Sequence, residues 1–256
     1  KFEPTEKVVA TTTLGGQEDT DAAVDAAEAA LETWSAPETL PTRIRLMEKL
    51  LQIYSERIEE MAKYISIEMG APIELARSGQ AGSGINHLMN FLERVKAFDF
   101  ERTVPGIDPD EANTLLLMEP IGVVGLITPW NWPMNQVMLK VVPALLVGCT
   151  CVLKPSELAP LSSMLLAEMI DQAGFPPGVF NLVNGDGLGV GTQLSKHPKV
   201  AMISFTGSTR AGSLISQNAA DTFKRVALEL GGKGANILFA DVDHFDSMVE
   251  DGVEHC

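Results

Sequence analysis

The sequence predicts an α/β fold: a parallel sheet with helices on both faces, preceded by N-terminal helices and interrupted by a protruding β-hairpin. Three observations carry this. From Ile121 onward, short apolar runs alternate with helical patterns. Alternating strands and helices imply parallel pairing, because a parallel crossover needs a long connection. Polar and glycine-rich motifs sit just after the runs, and such sheets bind ligands beyond the carboxyl ends of their strands.

The elements follow in order. Asp19, Thr20 and Asp21 precede an alanine- and glutamate-rich helix over 22–34. Pro41 and Thr42 open a longer helix that Gly70 ends. Its Ile44, Met47, Leu50, Leu51, Tyr54, Ile58, Met61 and Ile65 recur at helical spacing and read as core. Residues 75–97 are helical with interruptions at Gly79, Gly82 and Gly84. Residues 99–118 flank a Pro-, Gly- and Asp-rich middle and read as a hairpin, either a subunit contact or a plain surface excursion. Strands are then predicted over 121–127, 150–153, 179–183, 201–205, 225–230 and 235–239. Helices are predicted from Pro133 to near Gly148, and over 161–173, 190–195 and 210–218.

Composition narrows the function. Nineteen basic against thirty-four acidic residues gives a net charge of -15, which disfavours nucleic-acid or anionic-membrane binding through a broad field. The start, Lys1-Phe2-Glu3-Pro4, has no apolar signal core. The most apolar stretch, 141–153, is too short to span a bilayer. Three cysteines give no disulfide framework, and the four histidines show no ligand spacing with them, so no metal site is expected. A reducing, cytoplasmic setting is expected.

Five stretches carry chemistry. Ser204-Phe205-Thr206-Gly207-Ser208-Thr209-Arg210-Ala211-Gly212 runs from a strand through a glycine turn into a helix. Free N–H groups at such a helix start can hold phosphate oxygens. An ordinary turn capped by Ser208 fits the same residues. Ser213 stands where a Walker loop needs lysine. The glycines from Gly185 to Gly191 do not satisfy G-x-G-x-x-G. In Lys154-Pro155-Ser156-Glu157, lysine and glutamate can both face a ribose, and the carboxylate would repel a 2′-phosphate. Trp130-Asn131-Trp132-Pro133 sets an amide that can stabilise an oxyanion between two aromatic rings. Glu229 ends an apolar strand before Gly231-Gly232, where burial would move it toward a general base's range. Each stretch alone also has a plain reading as a cap, a packing residue or a solvated charge.

Together, TPWNWP, LKPSE, FTGSTRAG and LELGGK, in that order, resemble the aldehyde dehydrogenase superfamily. The resemblance runs from near Asp19 to the end. It implies a Rossmann-like sheet and NAD(P)-dependent oxidation of an aldehyde to a carboxylic acid through a cysteine thiohemiacetal and thioester. Asn131 resembles the oxyanion donor and Glu229 the general base. Lys154 and Glu157 resemble the ribose contacts, and Gly207 and Ser208 the pyrophosphate site. Ala211 and Gly212 fall near the adenine, with Gly185 and Gly187 at the adenosine end. Ile127, Thr128, Pro129 and Trp130 line the groove, and Leu230 lies by the nicotinamide. Ser156, Phe205, Thr206, Thr209 and Gly231 complete the cofactor set.

Glu157 leans toward NAD, and Lys154 keeps NADP compatible. Glu229 argues against coenzyme-A-acylating relatives. The family's F-x-N-x-G-Q-x-C nucleophile motif does not occur here, and Cys149, Cys151 and Cys256 do not match it. The chain is therefore expected to be the N-terminal, cofactor-binding part of such an enzyme, binding NAD without turning over. The rival is a non-catalytic nucleotide-binding or assembly fragment. The expected division is an NAD(P)-binding domain over 1–98 and 119–232, an oligomerisation hairpin over 99–118, and the start of a catalytic domain over 233–256. A homodimer or homotetramer is expected. Gln136, Leu139 and Lys140 are the candidate substrate-pocket residues.

Overall fold

The computed structural model describes residues 8–105 and 113–254. Cys256 and the hairpin's tip, 106–112, lie outside the described residues. The N-terminal part is helical: α1 (Gln17–Ser35), α2 (Leu40–Glu56), α3 (Ile58–Met69), α4 (Ile73–Leu75), a π-helical stretch over Ala76–Ala81, and α5 (Gly82–Lys96). Strands β1 (Glu101–Val104) and β2 (Thr114–Leu117) form the predicted antiparallel hairpin. The alternating part runs β3 (Val123–Ile127), α6 (Pro133–Val147), β4 (Thr150–Lys154), α7 (Leu161–Ala173) and β5 (Phe180–Leu182). It continues with a π-helical stretch over Gly187–Gly191, α8 (Thr192–Lys196), β6 (Val200–Gly207), α9 (Thr209–Ala220), β7 (Arg225–Leu230) and α10 (Phe245–Glu254).

The five sheet strands are all parallel, in the order β5-β4-β3-β6-β7. From central β3 the chain builds outward through β4 and β5, then returns to the other side for β6 and β7. The direction therefore reverses beside β3, and the crevice at such a reversal is where these sheets hold ligands.

Period-two alternation explains why both faces are covered. Val124, Leu126, Cys151 and Leu153 point into one core with α2, α3, α5, α6 and α7. Val123, Ile127 and Val152 point into a second core with α1, α8 and α9. Every residue of β3 and β4 is buried, so these strands are apolar almost without interruption. Among the described residues, no helix is long and apolar enough to cross a membrane.

A buried arginine ties the helical part to the sheet layer. Arg43 is 3% exposed, and its Nε donates to Leu146 O at 3.0 Å. Its Nη1 donates to Trp34 O at 2.8 Å and Thr39 Oγ1 at 2.7 Å. It thus satisfies carbonyls left open at the ends of α1 and α6. Gly148, with φ at 98°, closes α6 in the left-handed conformation that a side chain rarely tolerates.

Several boundaries differ from expectation. Helix α1 begins at Gln17, and Asp19 caps it from inside by accepting from Gly16 N–H at 2.8 Å. The helix expected over 41–70 breaks at Arg57, whose φ of -105° leaves the helical region. The Arg57 guanidinium turns to Glu60 at 2.8 Å and to Glu168 on α7 at 3.3 Å. Residues 235–239 form no strand: Ile237 and Phe239 stay 70% and 74% exposed, and β7 is the sheet's edge. Helix α10 was not anticipated, although Phe245, Met248, Val249 and Val253 carry a helical spacing.

Candidate functional site

The strand ends are level. Ile127 lies opposite Lys154 on one side and Phe205 on the other, and Phe205 lies opposite Leu228. Thr206 pairs with Glu229 and Gly207 with Leu230. The four chemistry-bearing motifs thus leave the same edge of one sheet. Adjacent strands lie about 4.8 Å apart, so the ends of β4 and β7 are separated by roughly 14 Å of backbone.

A cleft of about 460 Å³ opens at the chain reversal. Ile127, Glu157, Gly187, Phe205, Ser208 and Ala211 line it, all of them expected site residues. Asp186, Thr192, Arg210, Leu214, Ile215 and Asn218 line it too and were not anticipated. The α9 members had a signal: 211, 214, 215 and 218 fall on one face of a helix.

On one side, the Lys154 side chain is buried while its ammonium donates to Glu157 Oε2 and to Pro155 O, both at 3.0 Å. This pair orients the Glu157 carboxylate, which remains part exposed. Ser156 Oγ accepts from Leu158 N–H at 3.2 Å and shapes the same loop. On the other side, Ser208 caps α9 by accepting from Ala211 N–H at 3.2 Å. Gly212 lets α9 lie against β7: an added Cβ would meet Leu230 Cδ2 at 2.6 Å. Below them, Asp186 Oδ1 accepts from Gly189 N–H at 2.5 Å and turns the glycine-rich segment.

Two buried hydroxyls stand at the same strand ends. Thr128 Oγ1 and Thr206 Oγ1 are buried without a hydrogen-bond partner. They follow or end β3 and β6, the strands that border the reversal. Neither is among the cleft's lining residues, and the groups that suit a polar ligand there are the Glu157 carboxylate and the start of α9.

The chemistry-bearing polar groups stand nearby. Asn131 is exposed before α6, with Trp130 40% and Trp132 38% exposed on either side. Trp132 lies by Gly79, where an added Cβ would come 3.5 Å from its ring. Pro129 is half-buried, and Thr209 begins α9. Glu229 is exposed, because β7 is an edge strand with its end uncovered by the described residues. Leu230 is 43% exposed, and Gly231 follows it outside regular structure. Gly185 packs against Val190, beneath the cleft's floor.

Of the three guessed pocket residues, Leu139 is exposed and Gln136 half-buried. Lys140 differs from both. It is buried against β6, where its ammonium donates to Ser204 Oγ at 3.1 Å. Burial lowers its pKa, and the Glu229 carboxylate opposes that shift, so the two charges sense each other. Cys149 and Cys151 are buried, and burial raises the pKa of both thiols. Neither suits a nucleophile, which must be an accessible thiolate.

Known proteins match this geometry. The aldehyde dehydrogenase family model matches residues 2–256. A 3-succinoylsemialdehyde-pyridine dehydrogenase from a Pseudomonas species is 50% identical over 250 residues, covering 97% of this chain and 50% of that protein. The crystal structure of an aldehyde dehydrogenase from Bartonella henselae superposes with a TM-score of 0.92 at 54% identity, covering 98% of this chain and 52% of that one. A mutant of aldehyde dehydrogenase C from Pseudomonas syringae, in complex with NAD+ and octanal, gives 0.91 at 47% identity, covering 97% and 49%. The chain spans about half the length of the curated relatives it matches. Level strand ends, the ordered motifs and these matches agree: the chain belongs to the aldehyde dehydrogenase family.

Proposed function

We propose that this chain is the cofactor-binding part of an NAD-dependent enzyme that oxidises an aldehyde to a carboxylic acid. One observation carries the reading. A single cleft at the chain reversal has a ribose-type carboxylate, Glu157, on one side and the capped start of α9 on the other. A dinucleotide needs both, a hydroxyl acceptor for its ribose and backbone N–H groups for its phosphates. Relatives solved with NAD+, including a betaine aldehyde dehydrogenase from Staphylococcus aureus at 35% identity, support NAD as the cofactor.

NAD, when bound, supplies the hydride acceptor. The chain's residues do the rest. Lys154 would hold Glu157 toward the ribose hydroxyls, where a 2′-phosphate would meet a carboxylate, which favours NAD over NADP. Ser208, Gly207 and the first turn of α9 would receive the pyrophosphate. Ile127 to Trp130 wall the groove, and Trp130 and Trp132 flank Asn131. The Asn131 amide donates to the oxygen that gains charge when a thiolate attacks the aldehyde. Glu229 takes the proton from the water that cleaves the resulting thioester. The attacking cysteine comes from sequence outside these 256 residues.

We divide the chain accordingly: an NAD-binding domain over 1–98 and 119–232, a subunit-contact hairpin over 99–118, and the start of a catalytic domain over 233–256. The test is calorimetric titration of NAD and NADP into the full-length protein, with NADH formation followed across an aldehyde panel. NAD should bind more tightly than NADP, and aldehydes should be oxidised. Failure to bind either nucleotide would overturn the cofactor site.

A further inference from the structure

We propose that Glu68, far from the cleft in sequence, is a positioning residue for the cofactor: it fixes the loop between β4 and α7 that presents Lys154 and Glu157. This rests on the NAD-binding reading above. The problem it solves is a helix start without a cap. Helix α7 begins at Leu161 behind Pro160, whose side chain has no acceptor, and no local side chain caps it. Its first N–H groups need partners from elsewhere. Glu68 supplies them from α3. Its Oε2 accepts from Leu161 N–H at 2.6 Å and Ser162 N–H at 3.2 Å.

The placement works against local preference. Glu68 sits in the last turn of α3, just before Gly70 closes that helix. A carboxylate is disfavoured at a helix C-terminus. It is 5% exposed, which is costly for an acid unless it is well hydrogen-bonded. Burial pushes its pKa up to about 7, against hydrogen bonding at Ser162 and Leu161 that pulls it down. Local structure and burial both oppose an acid here, and the bond to α7 is what it gains.

The loop has three anchors. Lys154 holds it at the end of β4, and Ser156 braces it internally through Leu158 and Ala159. Glu68 holds the far end, from outside the loop. A small cavity of about 120 Å³ touches Ile67, Glu68, Glu157 and Leu158 together. Once released from Glu68, the loop has space beside it to shift, and Glu157 shifts with it.

Glu68 touches no reacting atom, so its loss should act on cofactor binding. Glu68→Ala should raise the NAD Kd and KM about ten-fold, with kcat changed less than about two-fold. Oε2 takes the shorter bonds to both N–H groups and Oε1 only a long one of 3.4 Å to Ser162 N–H, so Glu68→Gln can replace Oε2 through its amide carbonyl. Glu68→Asp, one methylene shorter, cannot reach.

The experiment compares wild type, Glu68→Ala, Glu68→Asp and Glu68→Gln in the full-length protein. It uses NAD calorimetry, steady-state kinetics and hydrogen exchange at the Leu161 and Ser162 amides. The expected result is weak NAD binding and fast exchange for Ala and Asp, with Gln within about two-fold of wild type. If Ala does not fold, the contrast between Asp and Gln decides. NAD binding by Glu68→Asp equal to wild type would overturn the proposal, as would an equal loss in Glu68→Gln. Wild type that binds no NAD would instead overturn the cofactor site on which the proposal rests.

Discussion

At the residue scale, the site is built from side chains that the backbone delivers to one sheet edge. Asn131, Lys154, Ser208 and Glu229 were legible in the sequence because each follows or ends an apolar run. The register makes that pattern physical by aligning Ile127, Lys154 and Phe205 across three strands. Glu229 shows the limit of such reading. The sequence left its burial open, because burial depends on what covers the edge strand, and that is a tertiary property. The role of Lys140 was missed for the same reason: helical position alone does not reveal that its ammonium reaches Ser204. The first prediction belongs at this scale. Asn131→Ala should lower kcat for aldehyde oxidation by about 10²–10³ with NAD affinity kept, the loss typical of one oxyanion donor. Parallel kinetics and NAD titration check it.

At the element scale, the alternating strands and helices were legible because apolar runs and glycine stops mark them locally. Helix α7 and strand β7 fall where the pattern put them. The break at Arg57 was not legible, since the apolar stripe continues through it, while its guanidinium reaches across to Glu168 on α7. The segment 235–239 failed in the opposite sense: its composition suits a strand, but a strand needs a neighbour.

The contact between α3 and α7 yields a pH prediction. The Glu68 carboxyl is held near pKa 7, above the 4.5 of a free glutamate. Glu157 also lines the cavity beside it. Below the free value both folded and unfolded chains hold the proton, and the contribution to stability is fully present. Between that value and about 7 the folded state binds more protons, so stability falls as pH rises, by up to about 1.4 kcal/mol per unit. Glu68→Gln should flatten the curve across that window. Denaturant unfolding at a series of pH values measures it, and identical curves for both proteins would contradict the assignment.

At the scale of the whole molecule, two cores sandwich the sheet, and no residue of the hairpin strands β1 and β2 belongs to either. Val104, Leu115, Leu117 and Met118 on or beside its strands are 42%, 54%, 53% and 48% exposed. Apolar strands exposed in this way invite pairing with another chain. We expect Leu115→Asp combined with Leu117→Asp to shift the full-length protein toward smaller assemblies in sedimentation, with the sheet's unfolding midpoint nearly unchanged. An unchanged assembly would remove the hairpin from the subunit contact. The core behaves differently. Leu126, 2% exposed in central β3, should cost about 3 kcal/mol as Leu126→Ala by leaving a cavity under α6.

The most direct measurement concerns Glu229, on which the reading as a hydrolytic enzyme depends. It is a rapid-mixing record of NADH formation by full-length wild type and Glu229→Gln with a saturating aldehyde. The prediction is that the variant keeps a burst of one NADH per active site and then turns over at least about 100-fold more slowly, because the thioester forms but its hydrolysis lacks a base. Steady-state turnover equal to wild type would show that Glu229 is not the base, and the site as assembled here would have to be read again.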